Sequence, residues 1–225
     1  MKKNAFVLVH DFGHPKSTIL PVIKQMFDPE KWNICAMDRL DQVVDMVNAP
    51  DLIVTFKNAI GELPEDYANW YDDPNTYKWP EFVNEQGASF LVVHAGFAYI
   101  PDEHPVITDI VKAKFRGHPP MSELRFEPVE NTGHPMMEGV TPFVSQLDEH
   151  FQVEGLSEKD TNILAWSYSD NGGKMPTVWA HECGKGRAAV ILPGHANPTF
   201  EALKHPSMIR LLKNTVNWLG RFDEE

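Results

Sequence analysis

Apolar residues in the first half of the chain fall alternately into short unbroken runs and into helical stripes. Ala5-Phe6-Val7-Leu8-Val9 has no helical period and predicts a strand covered on both faces. Beyond the loop His10 to Lys16, Ile19, Val22, Ile23, Met26 and Phe27 recur at i, i+3, i+4, i+7 and i+8. That spacing predicts a helix capped by Ser17 or Thr18, with Pro21 in its first turn. Strands follow over Trp32 to Met37 and Asp51 to Thr55, with a helix over Leu40 to Val47 between them. Glu65 to Tyr71 and Trp79 to Gln86 read as helices, the second stopped by Gly87 ahead of a strand over Ala88 to Val93. Buried strands alternating with helices predict a doubly wound parallel sheet.

The second half carries a different pattern. Glu123 to Glu130, Phe151 to Glu154, Asn162 to Tyr168, Thr177 to Glu182 and Ala188 to Leu192 read as strands with few helices between them, which predicts an antiparallel extension. "CGKGR" leads into a strand and not a helix, so it reads as a hairpin and not a phosphate cradle. The chain closes on a helix with Ile209, Leu212, Thr215, Val216 and Leu219 on one face, Pro206 near its start and Gly220 past its end. With no internal repeat or low-complexity stretch, 225 residues are expected to form one α/β domain over positions 1–225.

Composition narrows the partners. A net charge of −12 without a Lys/Arg cluster argues against a nucleic-acid backbone. No stretch approaches the roughly 18 apolar residues of a membrane span, and the apolar run in "MKKNAFVLVHDFGH" is too short for a signal sequence. Cys35 and Cys183 form no C-x-x-C, which points to a reducing compartment and a cytoplasmic location. Aromatic segments on this class of fold are compatible with a homodimer.

Ligands of doubly wound sheets bind at the carboxyl ends of the strands, and histidine is concentrated there. His10 and His14 follow the first strand, His94 follows Ala88 to Val93, and His195 follows Ala188 to Leu192. A single histidine after a strand is more often a loop or packing residue, but sequence-distant segments meeting at one rim favour a site. In "LVVHAGFAYIP", Ala95 and Gly96 permit a sharp reversal that would present His94 above the sheet, as in a nucleophile elbow. Imidazole there suits proton transfer or metal ligation. The pair Asp148 and Glu149 in "QLDEHF" either orients such an imidazole, completes a metal site, or is a solvated acidic turn. His118, with Arg116 and Gly117, is a further candidate, and Phe97 and Tyr99 beside the elbow offer aromatic faces that suit sugar rings. His118 and His134 each precede a proline, a context that favours extended turns, so both also have a structural reading, with His118 the better site candidate.

"GASFLVVHAG", "GHPMMEGVTPF" with "LDEHF", "PTVWAHECGKGRAAVILPGH" and "HPSMIRLLKNTVNWL" together resemble, in order, the signatures of the ThuA-like proteins of trehalose utilisation, whose domain is similar to class I glutamine amidotransferases. The resemblance implies a flavodoxin-like sheet with His94 at the elbow where amidotransferases carry a catalytic cysteine, and with His195 at the place of their catalytic histidine. Glutamine hydrolysis through a thiolate is therefore not expected. The resemblance implies an enzyme of sugar catabolism acting on a disaccharide or keto-glycoside, by isomerisation or glycosidic cleavage. In that reading His94, His195 and Glu149 are catalytic or hold zinc or manganese, and His14, His118, Tyr99 and Trp179 bind the sugar. Of the two histidines after the first strand, His14 is favoured. The alternative is a sugar-binding or regulatory module without catalysis.

Overall fold

A computed structural model describes residues 1–40, 49–61, 69–195, 201–222 and 224. In chain order the main elements are β1 (Lys3–Leu8), α1 (Lys16–Met26), β2 (Trp32–Met37), β3 (Leu52–Thr55), α2 (Trp79–Asn84), β4 (Ser89–Val93), β5 (Lys114–Phe115), β6 (Ser122–Pro128), β7 (Phe143–Asp148), β8 (Val153–Glu154), β9 (Asn162–Ser169), β10 (Gly173–Cys183), β11 (Gly186–Ile191), α3 (Glu201–Lys204) and α4 (Pro206–Leu219). The expected helix over Leu40 to Val47 lies almost wholly outside the described residues. So does most of the one over Glu65 to Tyr71, whose described end is a 3-10 turn at Trp70–Asp72.

The elements assemble around a nine-stranded sheet of order β2-β1-β3-β4-β11-β10-β9-β6-β7. From β2 to β11 the neighbours are parallel, giving the flavodoxin-like doubly wound half, and from β11 to β7 they are antiparallel. The expected antiparallel extension is thus present, with two refinements. β11 belongs to both halves, because the Gly184-Lys185 hairpin that brings it back from β10 also lays it parallel to β4. The strand expected over Phe151 to Glu154 shortens to β8 and leaves the main sheet to pair with β5.

Two apolar clusters cover the sheet faces. α1 and α4 pack Ile19, Val22, Ile23, Met26, Leu211, Leu212 and Val216 against one face, while Trp79, Phe82, Phe97 and the π-helical turn Val106–Val111 cover the other. α1 starts at Lys16, with its N-cap at Pro15, two or three residues ahead of the expected caps, and with no side-chain cap, so Pro21 lies beyond the first turn. Its ring is tolerated on the exposed side. On α4 the buried stripe is Met208, Leu211, Leu212, Thr215, Val216 and Leu219, with Ile209 only half-buried.

Beneath the π-helical turn, His181 on β10 is buried beside the Ile110 backbone. Burial, reinforced by the Lys112 charge, lowers its pKa to about 4. The unfolded chain takes up this proton near pH 6.5 and the fold resists it, so the stability contribution is complete above that pH and is lost as pH falls from 6.5 towards 4. Urea titrations across this window should show wild-type stability dropping by up to about 3 kcal/mol more than that of His181→Leu. Parallel losses in the two proteins would remove His181 from the account.

Candidate active site

The carboxyl ends of β1, β3, β4 and β11 lie side by side at one rim of the sheet, and each delivers a polar loop there. After β4 the chain turns at once into a 3-10 turn, His94–Phe97, with His94 at φ +44°. Positive φ is costly for a residue with a Cβ, and the neighbours hold it in place. Gly96 lies so close to β3 that a Cβ there would come within 2.2 Å of the Thr55 carbonyl oxygen. Only glycine fits this approach, which is the physical content of the expected elbow. Two more residues of the rim, His10 and Tyr99, also have positive φ, at +79° and +63°.

Three imidazoles converge at the rim. The ring centroids of His14, His94 and His195 are 5.1, 5.3 and 5.6 Å apart, all edge to face. His94 is buried, stacks on Phe151 at 4.5 Å, and donates from Nδ1 to the Leu192 carbonyl at 2.6 Å. His14 is held by Asp11, whose Oδ1 lies 2.8 Å from the imidazole Nδ1 and accepts the His14 backbone N–H at 2.7 Å. The second Asp11 oxygen accepts the Asn58 N–H at 2.7 Å, joining the loops after β1 and β3. The buried Lys57 strengthens that join by donating to the His10 carbonyl at 2.7 Å.

Glu149 sits among the imidazoles. Its Oε1 is 3.2 Å from His195 Nδ1 and 3.6 Å from His118 Nε2, and its Oε2 is 3.4 Å from His94 Nε2. Burial opposes its ionisation, but the His195 and His94 imidazoles outweigh burial and hold its pKa well below the ordinary carboxylate range. For His94 burial likewise opposes charge, and Glu149 reverses the balance and raises the pKa. Burial, aided by the neighbouring imidazoles, lowers that of His14 in spite of Asp11.

Asp148 is the hidden support of the site. It is no solvated turn: its carboxylate is fully buried and accepts backbone N–H groups from Glu149 at 2.9 Å, His195 at 2.9 Å and Gly194 at 3.1 Å. One side chain thus fixes both the segment that carries Glu149 and the loop that carries His195. Burial raises its pKa.

Above these groups opens a cavity of about 220 Å3 lined by Phe12, Gly13, His14, Asn58, Ala98, Tyr99, Phe115, His118, Glu149, Phe151 and His195. Phe12 and Tyr99 are 65% and 43% exposed, so they border the mouth. The small sheet of β5 and β8 supplies the wall, with Phe115 against Phe151 at 4.9 Å. Grooves of about 750 and 660 Å3 border the 129–135 segment, but the imidazole that lines them, His134, caps a 3-10 turn through its Nδ1 and packs on Trp218. Convergent polar groups, and not volume, identify the site.

Of the residues expected from sequence, His14, His94, His118, His195, Glu149 and Tyr99 are brought together here. Trp179 is not. It is fully buried under the π-helical turn, donating its indole N–H to the Val111 carbonyl at 3.0 Å and packing on Phe97, so it has no face for a ligand. His10 turns its Nδ1 to the backbone N–H of Lys16, whereas His14 enters the cluster. The donor atoms of His14, His94 and His195 all lie within 4.8 Å of one another, so among the described residues the grouped metal-ligating set has His14 in the place expected for Glu149.

The sequence model of a family described as ThuA, trehalose utilisation, matches residues 7–219. No curated protein matches the sequence. Among solved structures, a putative ThuA-like protein from Parabacteroides merdae ATCC 43184 is similar at a TM-score of 0.72 and 18% identity, over 98% of this chain and 90% of that one. A putative ThuA-like protein from Bacteroides uniformis ATCC 8492 gives 0.69 and 15%, over 97% and 91%. A cytoplasmic protein from Salmonella typhimurium LT2 gives 0.65 and 12%, over 97% and 99%. At such identities the likeness speaks for the fold. No described helix is long and apolar enough to cross a membrane.

Proposed function

Since this chain belongs to the ThuA family, described as trehalose utilisation, we propose that it is a cytoplasmic enzyme acting on a disaccharide or a keto-glycoside by isomerisation or glycosidic cleavage. The observation that carries this reading is Glu149, one carboxylate ringed by three imidazoles at the floor of an aromatic-walled cavity. Both reactions need a proton moved to or from a sugar carbon or oxygen by a fixed group. Glu149 faces the cavity and forms the proton-transfer group together with the imidazoles beside it: they keep the carboxylate ionised, and a proton it accepts passes on to His94, whose pKa Glu149 raises.

The cavity selects by size. At about 220 Å3 it falls below the roughly 300–1,000 Å3 of drug-sized pockets and has room for about one sugar ring. Phe115, Phe151 and Tyr99 present flat apolar faces to that ring, and Asn58 and His118 present hydrogen-bonding edges. The second unit of a disaccharide would rest at the mouth, beside Phe12.

Incubation of the purified protein with trehalose, its keto derivatives and other oxidised disaccharides, followed by NMR, tests the reading. Formation of a new sugar species supports it. An unchanged spectrum for every substrate overturns it, and saturable binding without product would then assign the chain to a sugar-binding module.

A further inference from the structure

We propose that His14, His94 and His195 form the binding site of one divalent transition-metal ion of the zinc class. This deepens the carbohydrate reading, since the ion would sit at the floor of the same cavity.

His14 Nε2, His94 Nε2 and His195 Nδ1 are all shielded from solvent; His14 Nε2 meets no partner, and the other two face only the Glu149 carboxylate, at 3.4 and 3.2 Å. A buried polar atom without a partner is costly, and His14 Nε2 aimed at two further imidazoles and a carboxylate is not explained by packing. Edge-to-face stacking could hold three aromatic rings together, but phenyl rings would do that without burying nitrogens that face one another.

The opposite edges of two rings are fixed. His94 Nδ1 donates to the Leu192 carbonyl, which only accepts, so its Nε2 is the atom aimed inward. On His14, Asp11 occupies Nδ1 and leaves Nε2 inward, the carboxylate–histidine arrangement that commonly orients a metal ligand. His195 comes from a third segment, and Asp148 anchors its backbone.

Distances fit a site that tightens on loading. Ligands at about 2.0–2.1 Å around a tetrahedral ion stand about 3.4 Å apart. The present donors lie within 4.8 Å of one another, so ring movements of under about 1 Å would close the set. Three imidazoles select zinc, copper, nickel or iron over calcium and magnesium, which prefer oxygen. The cavity and Glu149 lie on the open side, where a fourth position would face a substrate oxygen that the ion could polarise.

The test needs no substrate. Full-length protein stripped with a chelator is dialysed against zinc or cobalt(II), and its metal content, cobalt visible spectrum and melting temperature are recorded. The expected result is about one ion per chain, a tetrahedral cobalt band and a raised melting temperature. His14→Ala and His94→Ala should each bind less than about a tenth as much, whereas His118→Ala should bind as wild type. Should the histidine variants fail to fold, Asp11→Asn is expected to weaken binding by about 10–100-fold. A stripped wild type that takes up no ion, or variants that bind like wild type, overturns the proposal. Ion bound without sugar turnover keeps the site and removes the enzymatic reading, and turnover without an ion does the reverse.

Discussion

Glu149→Gln is expected to lower turnover by about 10²–10⁴-fold, the usual effect of losing a positioned proton-transfer group, with the fold intact. Gln has the same shape and can still accept from the imidazoles, so the cavity keeps its outline. What disappears is the charge that His195 and His94 stabilise and the ability to take up a proton at Oε1 or Oε2. Substrate affinity should change far less than turnover, because the ring contacts come from Phe115, Phe151, Tyr99 and Asn58. Circular dichroism and melting temperature separate a chemical from a folding defect. Turnover within about threefold of wild type in a folded variant would move the chemistry off Glu149, since that is far below a general-base effect.

How much of this was legible beforehand depended on which physical rule applied. The elbow could be read because close packing of a strand and a turn demands small residues, and Ala95-Gly96 after a buried run announces it. His195 could be placed at the same rim because its strand ends there whether it runs with β4 or against β10. Asp11 escaped, and the role of Asp148 stayed open, for one shared reason. Apart from the His14 imidazole that Asp11 also holds, their partners are backbone N–H groups, which every residue has, so no sequence pattern shows which carboxylate will meet them. Asp148 could only be weighed against a solvated turn.

Trp179 went astray through the opposite failure. The resemblance implied a sugar contact for Trp179, yet β10 is an inner strand with both faces covered. Alternation along it decides only which apolar layer receives the indole. The walls supplied by Phe115 and Phe151 were equally hidden, since the two-residue strand β5 has no periodic signal and exists only as the partner of β8.

Asp148→Asn should be nearly as damaging to turnover as loss of Glu149, although Asp148 touches no cavity. Its carboxylate accepts from Glu149, His195 and Gly194 together, and an amide in its place turns an NH2 group towards one of those N–H donors. Donor facing donor in a fully buried position costs about 1–3 kcal/mol, which the loop relieves by moving away. A displacement of about 1 Å in His195 and Glu149 is enough to lower turnover by about 10²-fold. Asp148→Ala removes the acceptor altogether and should destabilise by a further few kcal/mol, of the order seen when a buried charged partner is deleted. The diagnostic comparison is with a core variant of matched stability, such as Leu211→Ala on α4, whose melting temperature falls without touching the loop. If the core variant loses as much turnover as Asp148→Asn, Asp148 serves stability alone. A kcat loss confined to Asp148→Asn, with KM close to wild type, assigns it the positioning of the two groups that do the chemistry.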